Sequence, residues 1–250
     1  MAEVRFVAIG DSFSEGVGDE LPDGRVRGWA DIVAQGWATA SGHSIRYANL
    51  AIRGRLAWPI VEEQLEPALA LRPTHLSFNG GGNDMLRPGA DIEHIADAFS
   101  RVLRRCGEES VQLIVLSGAN PSSRLPMGRV VQRRGDQLSA AVMRRIEDRP
   151  DVIRAWNWPD AELSRPQYWA EDRLHMNAHG HHRLAARVLH ALGYEPPREW
   201  WAPAEHPPPG PAGYAYYREH VGPWIRRRVT RTSSGDGRAP KFPTWVERTP

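Results

Sequence analysis

VRFVAIGDSFSEG, residues 4–16, packs a strand and a sharp polar turn into one short stretch. Val4–Gly10 is a brief apolar run with β-branched and aromatic residues that stops at a glycine. A buried strand fits it, since a helix asks for about ten residues or more. The chain then turns polar at once, with Asp11, Ser12, Ser14 and Glu15 ahead of Gly16. Four further runs repeat the apolar pattern: Ser44–Ala51, His75–Gly80, Val111–Gly118 and Asp151–Trp156. Between them lie longer segments with helical spacing, Gly28–Ser41, Trp58–Leu71, Asp91–Cys106 and Gly128–Arg149, and Ala178–Leu192 follows the last strand. Asn177 suits the N-cap of that final helix and Gly193 its stop.

Strict alternation of strand and helix predicts an α/β fold, with a five-stranded parallel sheet covered on both faces. Ligands of such sheets sit beyond the carboxyl ends of the strands. Chemistry is therefore expected just after Gly10, Ala51, Gly80, Gly118 and Trp156. Composition breaks after Tyr194: residues 196–250 hold 11 of the 21 prolines and four of the ten tryptophans. The sequence thus divides into residues 1–195 and a Pro/Trp-rich C-terminal extension, 196–250, that packs on the body or trails from it. A helix broken near Pro223 is expected within Tyr214–Thr230. If the extension wraps the body, it buries Trp200, Trp201 and Trp224.

The formal charge of +2 gives no whole-molecule field favouring nucleic acid or an anionic surface. Nine Lys/Arg against five Asp/Glu in 196–250 place the basic excess in the extension. One cysteine, Cys106, excludes an intramolecular disulfide and a cysteine-rich zinc site. No apolar stretch approaches the roughly 20 residues of a membrane span, and the N-terminus lacks a secretory pattern. A cytoplasmic location is expected.

Three distant segments carry candidate chemistry. Ser12 follows the first strand, flanked by Gly10 and Gly16, where backbone N–H groups point at an incoming ligand. The spacing is not Gly-x-Ser-x-Gly, and alone such a serine equally suits a turn or a cap. Asp172-Arg173-Leu174-His175 puts a carboxylate where it can orient an imidazole, or simply form a surface ion pair. Asn49–Gly54 and Gly80-Gly-Gly-Asn83-Asp84 follow the second and third strands. A glycine N–H and the Asn83 amide are the kind of donors a developing oxyanion needs.

Taken together, Ser12 in GDSFSEG, Gly54, Asn83 in GGGND and Asp172-x-x-His175 resemble the four sequence blocks of the SGNH/GDSL hydrolase superfamily. The likeness runs over residues 4–192, and Phe13 stands where the commonest form has Leu. It implies a flavodoxin-like α/β/α sandwich of strand order 2-1-3-4-5 and a serine esterase needing neither metal nor cofactor. It also implies Ser12 as nucleophile, His175 as general base, Asp172 as its orienting carboxylate, and an oxyanion hole of Ser12, Gly54 and Asn83. The extension receives no role from it.

Asp11, Arg53, Arg55, Trp58 and Trp156 are the candidate substrate contacts. No long apolar insertion resembles a lid, so a short acyl group on a small molecule or carbohydrate is expected; a thioesterase or lysophospholipase uses the same triad. His175, His179, His181 and His182 invite a zinc reading, but Met176 stands where a His-Glu-x-x-His site needs its glutamate. The Gly80–Gly82 turn could cradle a phosphate in a flavodoxin-like binding module. The chain, however, has neither Gly-x-Gly-x-x-Gly after the first strand nor a Walker lysine. Arg226–Arg228 and Arg231 read as a solvated face, and no nucleic-acid partner is expected. Oligomeric state is not legible.

Overall fold

The computed structural model describes residues 3–125, 127–207, 210, 211, 213–223, 226, 230 and 232–250. Trp224, Arg227, Arg228 and Arg231, on which the basic-face reading and one buried tryptophan depended, lie outside them.

Strands β1 (Val4–Ile9), β2 (Ile45–Asn49), β3 (His75–Phe78), β4 (Gln112–Leu116) and β5 (Val152–Ala155) form the parallel part of one sheet. A sixth strand, β6 (Phe242–Arg248), is added antiparallel to β2, and the order is β5-β4-β3-β1-β2-β6. The 2-1-3-4-5 order is present, with the extension supplying one more edge strand than expected. Pro243 inside the run argues against a strand, but an edge strand tolerates proline. The β2–β6 register shifts between Tyr47 and Asn49, opposite that part of β6.

Most residues of the central strands are apolar because both faces of the sheet are buried. Val7 and Ile9 of β1 join one core cluster, and Phe6 and Ala8 join the other. The helices are α1 (Ser12–Glu15), α2 (Trp29–Ser41), α3 (Ala57–Ile60), α4 (Glu66–Ala70), α5 (Gly82–Met85), α6 (Ile92–Glu108), α7 (Gly128–Ile146), α8 (Ala178–Ala191) and α9 (Gly213–Tyr216). Residues of α2 and α8 fill the Phe6 side; those of α3, α4, α6 and α7 fill the Val7 side. Three layers result. No helix among the described residues is long and apolar enough to cross a membrane.

The helix expected over Trp58–Leu71 is interrupted by a π-type turn, Val61–Leu65, between α3 and α4. Pro67 lacks an N–H and crowds the turn before it, which widens the ladder there. The wide turn brings Gln64 to Gly10: its amide accepts from the Gly10 N–H at 2.8 Å and donates to the Gly10 carbonyl at 3.0 Å. At the other end of the chain, Asn177 caps α8 by accepting from the Gly180 N–H at 3.0 Å, as its sequence position predicts.

The extension lies along the body where described. Trp200 and Trp201 are half-buried. Trp200 closes over Gly36 of α2 and meets the His182 ring edge-on. Lys241, just before β6, donates to Asp31 Oδ2 at 2.5 Å and to the Glu15 carbonyl at 2.6 Å.

Candidate active site

Ser12 is the first residue of α1, at the carboxyl end of β1. Asp11 caps this short helix by accepting from the Phe13 N–H at 3.0 Å, and Gly16 ends it in the left-handed region at φ 102°. Gly10 is needed where it stands. At φ 153°, a Cβ there would lie 2.5 Å from Ser14 Oγ and 2.9 Å from the Asn79 carbonyl. The serine is thereby held at the carboxyl end of the sheet, lining a cleft.

Asp172 and His175 face it from the loop before α8. Asp172 Oδ1 accepts from the Leu174 and His175 N–H groups, both at 3.0 Å, while Arg173 adopts φ 61° to close the turn. The local chain thus fixes the carboxylate before it touches the ring. Asp172 Oδ2 lies 2.5 Å from His175 Nδ1, and His175 Nε2 lies 3.0 Å from Ser12 Oγ. With Nδ1 donating to the carboxylate, Nε2 is left to accept the serine proton.

Electrostatics agree with that geometry. Burial opposes charge on His175, yet the charge and hydrogen bond of Asp172 outweigh it and raise the imidazole above its ordinary value. Burial likewise opposes the Asp172 carboxylate, but the His175 charge and the two N–H groups hold it well below the usual carboxylate range. Such a pair favours an ion pair after proton transfer.

Gly54 and Asn83 line the same cleft as Ser12 and His175. The loop bearing Gly54 hangs from α1: Glu15 accepts from the Arg53 N–H at 2.6 Å and from Arg53 Nε at 2.9 Å. Gly54 has φ 77°, and a Cβ there would run into Ser233 Oγ and stand 3.1 Å from Ser234 Oγ. Asn83 Nδ2 donates to the Arg55 carbonyl at 3.1 Å and to Asp11 Oδ2 at 3.2 Å. Asp11 itself is buried, and that burial raises its carboxyl to about 6.

Of the five candidate substrate contacts, Asp11 and Trp156 line an inner recess of about 110 Å³ beside Ser12. Trp156 is braced there by donating to Ser139 Oγ at 2.8 Å. The other three are turned to protein partners. Arg53 pairs with Glu15, Arg55 with Glu63 at 2.8 Å, and Trp58 donates to the His94 carbonyl at 2.9 Å. The helix histidines are also engaged. His181 accepts from the Trp29 N–H and donates to the Val17 carbonyl, both at 3.1 Å, and burial lowers it to about 4.

Several residues at the site escape sequence reasoning. Glu15 was legible only as a charge inside GDSFSEG. Gln64, Tyr216, Ser233 and Ser234 carry no local signal, because each acts on a partner far away in the chain.

A model of the GDSL-like lipase/acylhydrolase family matches residues 8–183. No curated protein sequence matches the chain. Similar solved structures include an acetylxylan esterase from Geobacillus stearothermophilus, at 18% identity and TM-score 0.63, covering 79% of this chain and 98% of that one. A psychrotrophic esterase from Pseudoalteromonas sp. gives 17%, 0.60, 76% and 97%. A lipase/acylhydrolase from Enterococcus faecalis gives 14%, 0.58, 78% and 99%. At such identities the likeness is one of fold.

Proposed function

The chain belongs to the GDSL-like lipase/acylhydrolase family, and from that premise we propose that it hydrolyses short-acyl esters of a small molecule or carbohydrate through an acyl-enzyme on Ser12. The observation that carries this reading is the unbroken line from Asp172 through His175 to the Ser12 hydroxyl, 2.5 Å and 3.0 Å.

Ser12 Oγ attacks the ester carbonyl carbon while its proton passes to His175 Nε2. Asp172 holds the imidazole in the accepting tautomer and balances its charge. The negative oxygen of the tetrahedral intermediate takes hydrogen bonds from the Ser12 and Gly54 N–H groups and from the Asn83 amide, which turns one N–H away from the Arg55 carbonyl or Asp11 to do so. The C–O bond to the alcohol then breaks, and the alcohol leaves with the proton from His175. Water gives its proton to His175 and attacks the acyl carbon. The acid departs and Ser12 regains its hydrogen.

We assign the acyl group to the apolar recess beside Ser12. The inner recess holds about 110 Å³ and is walled by Leu116, Val142, Trp156 and Trp158. A wider outer cleft of about 470 Å³ opens on the other side of Ser12 and His175 and suits the alcohol. Residues 1–195 serve as the hydrolase domain, and 196–250 as an extension packed on it, a division supported by the composition change at Tyr194.

A panel of p-nitrophenyl esters from acetate to decanoate tests the reading. Activity peaking at acetate or butyrate, and abolished by Ser12→Ala, is the expected result. A peak at decanoate or longer overturns the short-acyl assignment. Undiminished turnover in Ser12→Ala overturns the mechanism.

A further inference from the structure

The outer cleft has two unlike halves. One belongs to the body: Ser12, Gly54, Asn83, Arg87 and His175, with Met127 at the rim. The other comes from the extension: Tyr216, Tyr217, Glu219 and His220 from one segment, and Thr232, Ser233 and Ser234 from another. The family match ends at residue 183, so this second half lies outside the matched region.

The extension is fixed to the turn that carries the carboxylate and imidazole. The Tyr216 hydroxyl donates to the Asp172 carbonyl at 3.1 Å. The Arg173 guanidinium lies over the Tyr216 ring, 4.0 Å from its centre, and donates to the Pro211 carbonyl at 3.1 Å. Tyr216 in turn supports Tyr217 edge-on, ring centres 5.9 Å apart. On the opposite side Ser233 and Ser234 close against Gly54. An aromatic pair and a pair of hydroxyls thus line the cleft onto which Ser12 opens.

Exposure marks the same place. Among the described residues the large apolar side chains left exposed are Met127 at 73%, Tyr214 at 81% and Tyr217 at 52%. Met127 and Tyr217 both line this cleft. Among the described residues, two such side chains make a smaller patch than the several hundred Å² typical of a lipid-binding surface. The cleft mixes the apolar Leu86, Leu125, Leu174 and Val221 with the hydroxyls of Ser233 and Ser234 and the imidazole of His220, and a plain hydrocarbon chain would leave the polar groups unmatched. A flat apolar face combined with ring hydroxyls meets both demands.

We propose that the C-terminal extension builds the alcohol subsite and that this subsite takes a sugar-like polyol ring, its apolar face against Tyr217 and Met127 and its hydroxyls toward His220, Ser233 and Ser234. The inference rests on the ester-hydrolase reading above and assigns the leaving group of that reaction. Tyr217 and His220 are its specificity-determining residues.

The test compares two acetates with the full-length protein: a monoacetylated methyl glucopyranoside, and ethyl acetate, whose alcohol is too small to span the walls. Wild type is expected to favour the sugar ester by about tenfold or more in kcat/KM, and Tyr217→Ala and His220→Ala to cut that ratio about tenfold, mainly through KM. The ratio is unaffected by any inactive fraction, so a poorly folding variant still gives an answer. Cleavage of ethyl acetate with no sugar preference, or a ratio unchanged in both variants, overturns the subsite and leaves the esterase standing. Turnover that jumps when tributyrin passes its solubility limit also overturns it, in favour of a lipid surface. If neither acetate is cleaved, the esterase reading falls first and the subsite with it.

Discussion

Asn83 Nδ2 lies 3.2 Å from Asp11 Oδ2, so the amide proposed for the oxyanion is held by the residue next to the nucleophile. The other Asp11 oxygen accepts from the Phe13 N–H and starts α1. One buried carboxylate therefore aligns the serine helix and the amide together. Its burial has a cost, visible in a carboxyl raised to about 6.

Asp11→Asn should uncouple these tasks. A carboxylate accepts on both oxygens, whereas an amide accepts on one and presents N–H₂ with the other. Either the cap or the Asn83 contact is lost, and kcat/KM should fall about tenfold, the worth of one hydrogen bond. The Asp11 charge also raises His175. Removing it should move the acid limb of the pH profile down. An unshifted limb with unchanged kcat/KM would show Asp11 to be a cap alone.

The pH dependence of the wild type follows from His175. The imidazole must be neutral to take the serine proton, and its value stands above the ordinary 6.5. Activity should therefore climb as pH rises through a point above 6.5 and be lost on acidification. Asp172→Asn removes the largest influence raising it, leaving burial to push the imidazole down. The limb should then move below its wild-type position while kcat drops roughly a thousand- to ten-thousand-fold. A fixed limb in that variant would mean a group other than His175 titrates.

Gly54 faces two constraints at once, φ 77° and the hydroxyls of Ser233 and Ser234. Gly54→Ala strains the backbone by about 1–2 kcal/mol and pushes against the extension. The N–H proposed for the oxyanion is displaced with it, so kcat should fall about 100-fold with a smaller change in KM. Adding Ser233→Gly relieves the collision but not the dihedral, and should recover only part of the loss. Full recovery would locate the whole defect in packing.

The parallel sheet was legible because both sheet faces are buried, making apolar runs such as Phe6–Ile9 and Leu113–Leu116 stand out between helical segments. Ser12, Asp172 and His175 were legible as motifs, and the 3.0 Å meeting of Ser12 with His175 across 163 residues could only be supplied by the fold. Residues whose partners are remote left no trace. Glu15 holding Arg53, Gln64 holding Gly10 and Tyr216 holding the Asp172 turn are ordinary polar residues until the chain is folded. β6 was hidden for a local reason, since Pro243 reads as a strand breaker and only its place at a sheet edge makes it acceptable.

That edge strand is tied down by Lys241. Its ammonium is buried against Asp31 at 2.5 Å and donates to the carbonyls of Glu15 and Arg27. Asp31 also accepts from the Tyr47 hydroxyl at 3.1 Å, and Arg248 approaches it at 3.5 Å. Burial raises the Asp31 carboxyl and lowers the Lys241 ammonium, and the charge of each partner opposes that shift in the other. Lys241→Met strands the carboxylate and should cost about 3–5 kcal/mol, or roughly 10 °C in Tm for a chain of this size. Replacing both members, Asp31→Asn with Lys241→Met, should restore much of the stability because no buried charge is left alone. Thermal unfolding of the two variants checks this. A Tm within about 2 °C of wild type for the single variant, on a scale of about 2–4 °C per kcal/mol, would mean that β6 is not part of the cooperative fold. The extension would then be an attachment that happens to lie against the body.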